Sequence, residues 1–208
     1  MDNYFRFIKG IPGAFILTVL MSFFALLLAL IFRTPSRWLI FAAMLLSSLG
    51  DFTLMRDFTG IFRSLPFDKL YLGAAFFLLA HLLYITAFTY LLRSGGYRLW
   101  NAGFCIGIAL FCIAFTVILY SYIHNRPRNP TLLITALLYL VVISFLCALI
   151  GSYGFWAGSR RYLAVLGSVS FFVSDFIIAL GVFRITNAYD RLIWWFYPIG
   201  QILLILGG

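Results

Sequence analysis

The chain has 208 residues, of which 64% are hydrophobic and 10% are charged. Soluble domains carry roughly 25% charged residues, and a domain of this size cannot remove so much apolar surface from water. The composition therefore excludes a soluble protein and indicates that lipid surrounds most side chains. The net charge of +9 does not predict nucleic-acid binding, because the basic residues stand in pairs between apolar runs, where lysine and arginine contact lipid headgroups.

The first apolar run occupies residues 11–32 and follows a short polar and basic stretch. A signal peptide has a shorter apolar region and a cleavage site of small residues. This run is about 22 residues long, enough to cross the hydrocarbon core, and it ends in Arg33-Thr34-Pro35. We therefore interpret it as a retained membrane helix.

Six further apolar runs of similar length follow, separated by polar segments rich in Gly, Pro and Arg. Such segments form turns, and Gly151-Ser152-Tyr153-Gly154 is predicted to end the fifth run. The runs are too long for the strands of a membrane barrel and lack their two-residue alternation. The sequence thus predicts an all-α, polytopic transmembrane helix bundle, with residues 1–208 forming a single transmembrane domain. The predicted spans are 11–32, 36–55, 70–92, 99–122, 131–151, 162–183 and 191–207.

The distribution of basic residues predicts the orientation of this bundle. With seven spans, nine of the 15 Lys and Arg residues fall on the side of the N-terminus and six on the other. The positive-inside rule then places the N-terminus in the cytoplasm. The three cysteines, Cys105, Cys112 and Cys147, all lie inside apolar runs, where packing is their expected role rather than a disulfide or a metal site.

A few ionisable residues lie inside the predicted spans. All six acidic residues are Asp, and four of them belong to ends or loops. Asp51, Asp175 and His81 lie within apolar runs instead. A carboxylate in hydrocarbon costs at least a few kcal/mol, so it normally faces the bundle interior and a partner or a water-filled cavity.

The depth of these residues predicts that they meet. At 1.5 Å per residue, Asp51 lies about one turn before the end of its span, and Asp175 about two turns before the end of the sixth. His81 lies about eleven residues into the third span, and Tyr197 and Gln201 about two to three turns into the seventh. Because successive spans alternate in direction, all five fall at mid-depth or toward the N-terminal face. The similar depth of these five residues predicts one cavity in that half of the bilayer.

The spacing within individual spans agrees with a shared cavity. Phe77, His81 and Tyr84 lie at i, i+4 and i+7, on one helix face. The sixth span carries a small-and-polar stripe formed by Gly167, Phe171, Ser174 and Asp175. Structural roles remain open for several of these residues. His81 could be a buried imidazole bonded to a backbone carbonyl, and Asp51 could pair with Arg56. Tyr197 could belong to an interfacial aromatic belt, and Gln201 could form an interhelical hydrogen bond.

Two other chemistries use the same residue types. Asp51, Asp175 and His81 match the composition of a facial triad, but they come from three helices without local ligand spacing, so we predict neither a metal nor another cofactor. A Ser/His/Asp triad has four candidate nucleophiles, and no nucleophile-elbow sequence accompanies any of them. These candidates are Ser47, Ser48, Ser170 and Ser174.

Three motifs follow one another along the chain: Ser47-Ser48-Leu49-Gly50-Asp51, the segment from Gly73 through His81 to Tyr84, and the segment from Gly167 through Ser174 to Asp175. These motifs resemble the YhhN-like lysoplasmalogenase family of integral membrane proteins. Lys9-Gly10-Ile11-Pro12 is similar to the Lys-Pro start of a helix in the family, and Tyr197-Pro198-Ile199-Gly200-Gln201 to its closing Tyr-x-x-x-Gln. Family members usually have eight helices. Seven are found here, so the resemblance implies that the first one is absent.

The resemblance implies hydrolysis of the vinyl ether bond of a lysoplasmalogen, giving a fatty aldehyde and a glycerophospho-base. The partners would be a lysophospholipid substrate and membrane lipid. One of Asp51 and Asp175 would be the general acid and the other an ionised carboxylate, while His81 would position or deprotonate the water. Lys9 would pair with the substrate phosphate, and the remaining polar residues would bind substrate. These are Tyr84, Ser174, Tyr197 and Gln201.

Two functions from other classes remain compatible with these residues. Intramembrane Asp and His also mark proton relays and transport pathways. A lipid-binding or lipid-sensing protein without catalysis would use the same pocket. An assay for aldehyde release from vinyl-ether lipids distinguishes the hydrolase from both.

Overall fold

The computed structural model describes residues 11–54, 69–123, 130–158, 161–183, 185 and 188–208. These residues form seven α-helices and no strand, which confirms the predicted all-α bundle. Their bounds are α1 Ile11–Phe32, α2 Pro35–Leu54, α3 Lys69–Ser94, α4 Ala102–Ile123, α5 Pro130–Ala157, α6 Tyr162–Val182 and α7 Asp190–Gly207.

The length and composition of the helices fit a multi-pass membrane protein. Five of the described helices, α1, α2, α3, α5 and α6, are long and apolar enough to cross a membrane, and α7 contributes a shorter apolar helix. Large apolar side chains cover the outside of the bundle, among them Leu20, Ile31 and Val141. A surface of this kind is stable against lipid and not against water. The cytoplasmic placement of the N-terminus stays a prediction.

The predicted end of the fifth span is wrong. Helix α5 continues through Gly151–Gly154 and ends at Ala157, before Gly158 with φ of +88°. The small and polar residues serve packing instead: the Ser152 hydroxyl donates to the Ala148 carbonyl at 2.9 Å and accepts the Asn101 N–H at 2.8 Å. A side chain at Gly154 would collide with Val165 of α6. The helix stops only where a left-handed residue is required, and glycine meets that requirement.

The helices α6 and α7 pack backbone against backbone. A Cβ atom at Gly167 would lie 2.9 Å from the Gly200 carbonyl oxygen, and one at Gly200 would lie 2.9 Å from the Phe171 nitrogen. Small residues allow such close approach between membrane helices. The contact joins the first half of α6 to the second half of α7. Because the two helices are antiparallel, the second half of α6, with Asp175, then runs along the first half of α7, with Tyr197.

The other helices close the bundle around this pair. Helix α2 packs against α1 and α3, helix α5 against α3, α4 and α6, and α1 against α7. Arg37 of α2 donates a hydrogen bond to the carbonyl of Ile205, near the C-terminal end of α7 where carbonyls lack helical donors. The centre is filled by fully buried side chains, including Met44, Phe88 and Leu204.

Candidate active site

Asp51 lies in the last turn of α2 and is 7% exposed. Its Oδ2 atom accepts a hydrogen bond from the Thr18 hydroxyl of α1 at 2.9 Å and another from the Tyr197 hydroxyl of α7 at 3.0 Å. Both donors are neutral, and hydrogen bonds of this kind stabilise an ionised carboxylate. The alternative partner Arg56 lies outside the described residues.

Asp175 lies in α6 and meets side chains from two other helices. The Tyr139 hydroxyl of α5 donates to its Oδ2 atom at 2.9 Å, and the Nε2 atom of His81 lies 3.8 Å from the same oxygen. The side chains of His81 and Asp175 are 2% and 13% exposed. A separation of 3.8 Å is too long for a direct hydrogen bond, and His81 Nε2 has no hydrogen-bond partner among the described residues.

The geometry around His81 fixes where its proton sits. Its Nδ1 atom lies 2.6 Å from the Phe77 carbonyl oxygen, and a carbonyl only accepts, so Nδ1 carries a hydrogen. In the neutral ring Nε2 is then the basic nitrogen, and it faces Asp175. A neutral Nε2 and an ionised carboxylate would point lone pairs at one another. A proton on either the carboxyl group or the ring would remove this repulsion.

Aromatic rings connect the two carboxylates. The ring of Phe171 lies 5.0 Å from that of His81 and 5.4 Å from that of Tyr197. The ring of Tyr139 packs edge-on against His81 at 5.1 Å. Such rings hold their neighbours in fixed orientations and exclude water. Asp51, Tyr197, His81, Asp175 and Tyr139 thus belong to one packed layer of the bundle.

Both carboxylates open onto one cavity of about 220 Å³. It lies between the C-terminal ends of α2 and α6 and the N-terminal halves of α3, α5 and α7. Its polar lining residues are Asp51, Tyr71, Thr135, Tyr139, Asp175, Trp194 and Tyr197. The described part of its wall contains no Lys, Arg or His. An organic molecule in this cavity would meet negative charge surrounded by hydrocarbon.

The cavity wall contains a proline inside a helix. Pro198 lies inside α7 and has no N–H, so it cannot donate to the carbonyl of Trp194, one turn earlier. Both residues line the cavity.

The structure separates the predicted site residues into two groups. Asp51, Asp175 and Tyr197 line the cavity, and His81 contacts Asp175 without lining the cavity itself. Tyr84 and Gln201 do not line it: the Tyr84 hydroxyl donates to Gln201 Oε1 at 2.8 Å inside the core. Their substrate-binding role stays a prediction, and the geometry matches the interhelical hydrogen bond that the sequence left open for Gln201.

Ser174 and Lys9 are the last two predicted site residues. The Ser174 hydroxyl is fully buried and has no partner among the described residues. Lys9 lies outside the described residues. Sequence reasoning missed Thr18 and Tyr139, which donate to the two carboxylates. Their signal was a hydroxyl in the middle of an apolar run, away from the interface where tyrosine is common.

A metal site and two of the four candidate serines receive no geometric support from the described residues. No group of three or more His, Cys, Asp or Glu side chains there is arranged to hold a metal ion. Ser47 contacts Gln201, and Ser48 bonds to Ser22 and to the Met44 carbonyl. Neither serine is in contact with His81.

The comparison with protein families agrees with the motifs. The chain matches the YhhN family over residues 14–208. Neither the curated proteins nor the solved structures contain a match to it. Because the match covers nearly the whole chain, the protein belongs to the YhhN family.

Proposed function

We propose that the protein is a membrane hydrolase that cleaves the vinyl ether bond of lysoplasmalogens to a fatty aldehyde and a glycerophospho-base. One observation carries the proposal: two carboxyl groups face a single apolar cavity, and the basic nitrogen of a buried histidine lies 3.8 Å from one of them. The resemblance of the surrounding motifs to lysoplasmalogenases supports the choice of substrate. Acid hydrolysis of an ether lipid needs a proton donor and an anion for the cationic intermediate, together with an apolar surface for the hydrocarbon chain.

The reaction has three steps. A proton adds to carbon 2 of the alkenyl chain, and the positive charge is shared by carbon 1 and the ether oxygen as an oxocarbenium ion. Water adds to carbon 1 and loses a proton, giving a hemiacetal. The hemiacetal collapses to the aldehyde and releases the glycerol oxygen as a hydroxyl. The overall change consumes one water and needs no oxidant, reductant or covalent intermediate.

The surroundings of the two carboxylates suggest different roles for them. Asp51 Oδ2 accepts two donated hydrogen bonds, so we assign it the ionised state in which it stabilises the cation. Asp175 faces the basic Nε2 of His81, so we assign it the transferable proton. After Asp175 protonates carbon 2, its carboxylate at the cavity wall accepts the proton of the attacking water. His81 Nε2 lies behind this carboxylate and is the base that supports its proton transfers.

The phosphate of the substrate must stay near the mouth of the cavity. Lys69 begins α3 directly before the lining residue Leu70, and Arg191 lies two residues before the lining residue Ile193 in α7. Basic side chains at these positions can pair with a phosphate at the membrane interface. Lys69 and Arg191 are therefore candidates for pairing with the substrate phosphate, the role that the family resemblance gives to Lys9.

A comparison of three lysophospholipids as substrates tests the proposal directly. Purified protein should release aldehyde from a lysoplasmenyl lipid and leave the saturated ether analogue intact, because the saturated chain cannot form the oxocarbenium ion by protonation at carbon. The acyl lysophospholipid should also be spared. A protein that binds all three lipids without releasing product would be a lipid-binding protein, and one that moves protons or lipid across vesicles without hydrolysis would be a transporter.

A chelator distinguishes acid–base from metal-assisted hydrolysis. We expect aldehyde release to survive dialysis against a strong chelator, since the proposed steps use only side chains and water. The measurement is the initial rate before and after treatment, with the protein checked for its oligomeric profile. Loss of the rate with recovery on addition of zinc or iron would support the facial-triad mechanism instead.

The hydrogen bonds to Asp51 should matter for catalysis. Thr18→Val and Tyr197→Phe each remove one donor, and a hydrogen bond to a charged group contributes about 1.5–3 kcal/mol, so each should lower kcat/KM by roughly 10- to 100-fold. The control is Thr86→Val, because the exposed Thr86 hydroxyl donates only to the Leu82 carbonyl of its own helix. Equal, small effects of all three changes would argue against an ionised Asp51.

A further inference from the structure

A second, smaller cavity adjoins the candidate site. Its volume is about 40 Å³, and it lies between α5 and α6. Four residues, Ala136, Tyr139, Asp175 and Ala179, belong to the walls of both cavities. Asp175 therefore lies at the junction between the two spaces.

The smaller cavity is lined by hydrocarbon beyond this junction. The residues that belong to it alone are Leu140, Ile143, Phe172 and Phe176. Ile143 and Phe172 are almost fully buried. No polar side chain is among these four, so a charged or hydrogen-bonding group would lose its hydration there without compensation.

The two cavities lie at different depths. Along α5, the wall of the larger cavity runs from Leu132 to Tyr139 and that of the smaller one from Ala136 to Ile143. The smaller cavity is thus shifted by four residues, which is about 6 Å at 1.5 Å per residue. Because α5 starts at Pro130, the smaller cavity extends toward the middle of the bundle and the larger one toward the membrane interface.

We propose that the space between α5 and α6 is a binding slot for the hydrocarbon chain of the substrate and selects its length. The inference rests on the proposed function. The polar end of a lysophospholipid stays at the interface, and its chain points into the membrane. The acid at the junction then lies next to the first carbons of the chain. The glycerol occupies the larger cavity with the headgroup at its mouth, and the chain enters the slot directly after carbon 2.

This placement agrees with the chemistry step by step. The proton must reach carbon 2, the carbon from which the chain continues, and Asp175 lies where the slot begins. The cationic carbon 1 and the ether oxygen then lie on the side of the larger cavity, whose wall contains Asp51 and Tyr197. Water can approach carbon 1 only from that side, because the slot is apolar and would be filled by the chain.

Leu140 offers the cleanest test, because it lines the slot and not the larger cavity. Leu140→Phe should block the slot, and Leu140→Ala should leave it open while removing the same leucine contacts. Substrates with a long and a short alkenyl chain are compared by kcat/KM for aldehyde release. We expect the long-to-short ratio to fall about tenfold in the Phe variant, the scale on which apolar pockets discriminate, and to stay within about threefold of wild type in the Ala variant.

Leu138→Phe is the matched control, since Leu138 lies on the same helix and is 60% exposed on the outer surface. It should leave the ratio unchanged. The affinities of long and short saturated ether lysophospholipids, which are not cleaved, are measured on the same proteins. An active wild type whose ratio shifts equally in the Leu138 and Leu140 variants would overturn the slot. If the wild-type protein is inactive but Leu140→Phe still weakens the binding of the long saturated lipid relative to the short one, the slot is supported and the proposed hydrolysis is contradicted.

Discussion

Asp175→Asn is expected to abolish turnover, and Asp51→Asn is expected to do the same. The amide at position 175 cannot give a proton to carbon, and that at position 51 cannot stabilise the cation with a full negative charge. General acid–base groups alone contribute about 10²–10⁴-fold, so each variant should fall at least this far. Because the two act in one step, the double variant should be little worse than either single one.

Turnover must be normalised to folded, monodisperse protein for this comparison. If the aspartates only hold helices together, the variants should lose folded yield and keep their activity per folded molecule. Gln201→Ala supplies the contrast. It breaks the Tyr84–Gln201 hydrogen bond in the core and should lower folded yield with a much smaller loss of specific activity. Asp175→Asn with near-wild-type specific activity would remove the catalytic assignment.

His81→Ala should lower kcat by about 10²–10⁴-fold, since it removes the base that lies behind the Asp175 carboxylate and supports its proton transfers. His81→Asn separates this role from packing. An asparagine amide can still donate toward the Phe77 carbonyl, as His81 Nδ1 does, but it has no basic atom to replace Nε2. The Asn variant should therefore fold like wild type and remain as inactive as the Ala variant.

The measurement is single-turnover aldehyde release, which separates chemistry from product release. Full activity of His81→Asn would show that the histidine has a structural role and that Asp175 transfers protons without a basic neighbour. Tyr84→Phe, which changes a residue of the core network, should cost less than either change at His81, because it positions neighbours and exchanges no proton.

The helices were predictable because hydropathy alone determines which segments enter lipid. The ends of the helices were harder to predict. Gly151–Gly154 was predicted to end a helix, but the close contact between Gly154 and Val165 of α6 favours helix through that segment. Whether a glycine ends a helix or serves packing depends on the neighbouring element, which local sequence does not contain. The close glycine contact of α6 and α7 follows the same rule.

Part of the site followed from depth along the chain. Five residues were predicted to share a cavity, and the structure places three of them, Asp51, Asp175 and Tyr197, in its wall and leaves His81 and Gln201 outside it. Depth does not determine rotation about the helix axis, however. Gln201 has a suitable depth but turns toward Tyr84. The donors Thr18 and Tyr139 come from α1 and α5, and no pattern in either span predicts which carboxylate each would reach.

The position of deuterium in the aldehyde tests the central claim most directly. Lysoplasmenyl lipid is incubated with the protein in deuterated water, the aldehyde is trapped as it forms, and its isotope content is read by mass spectrometry. Proton transfer from an exchangeable acid to carbon predicts one deuterium on carbon 2, next to the carbonyl, and no such product from Asp175→Asn. Aldehyde without deuterium at carbon 2, or no aldehyde from the folded wild-type protein, would contradict the account.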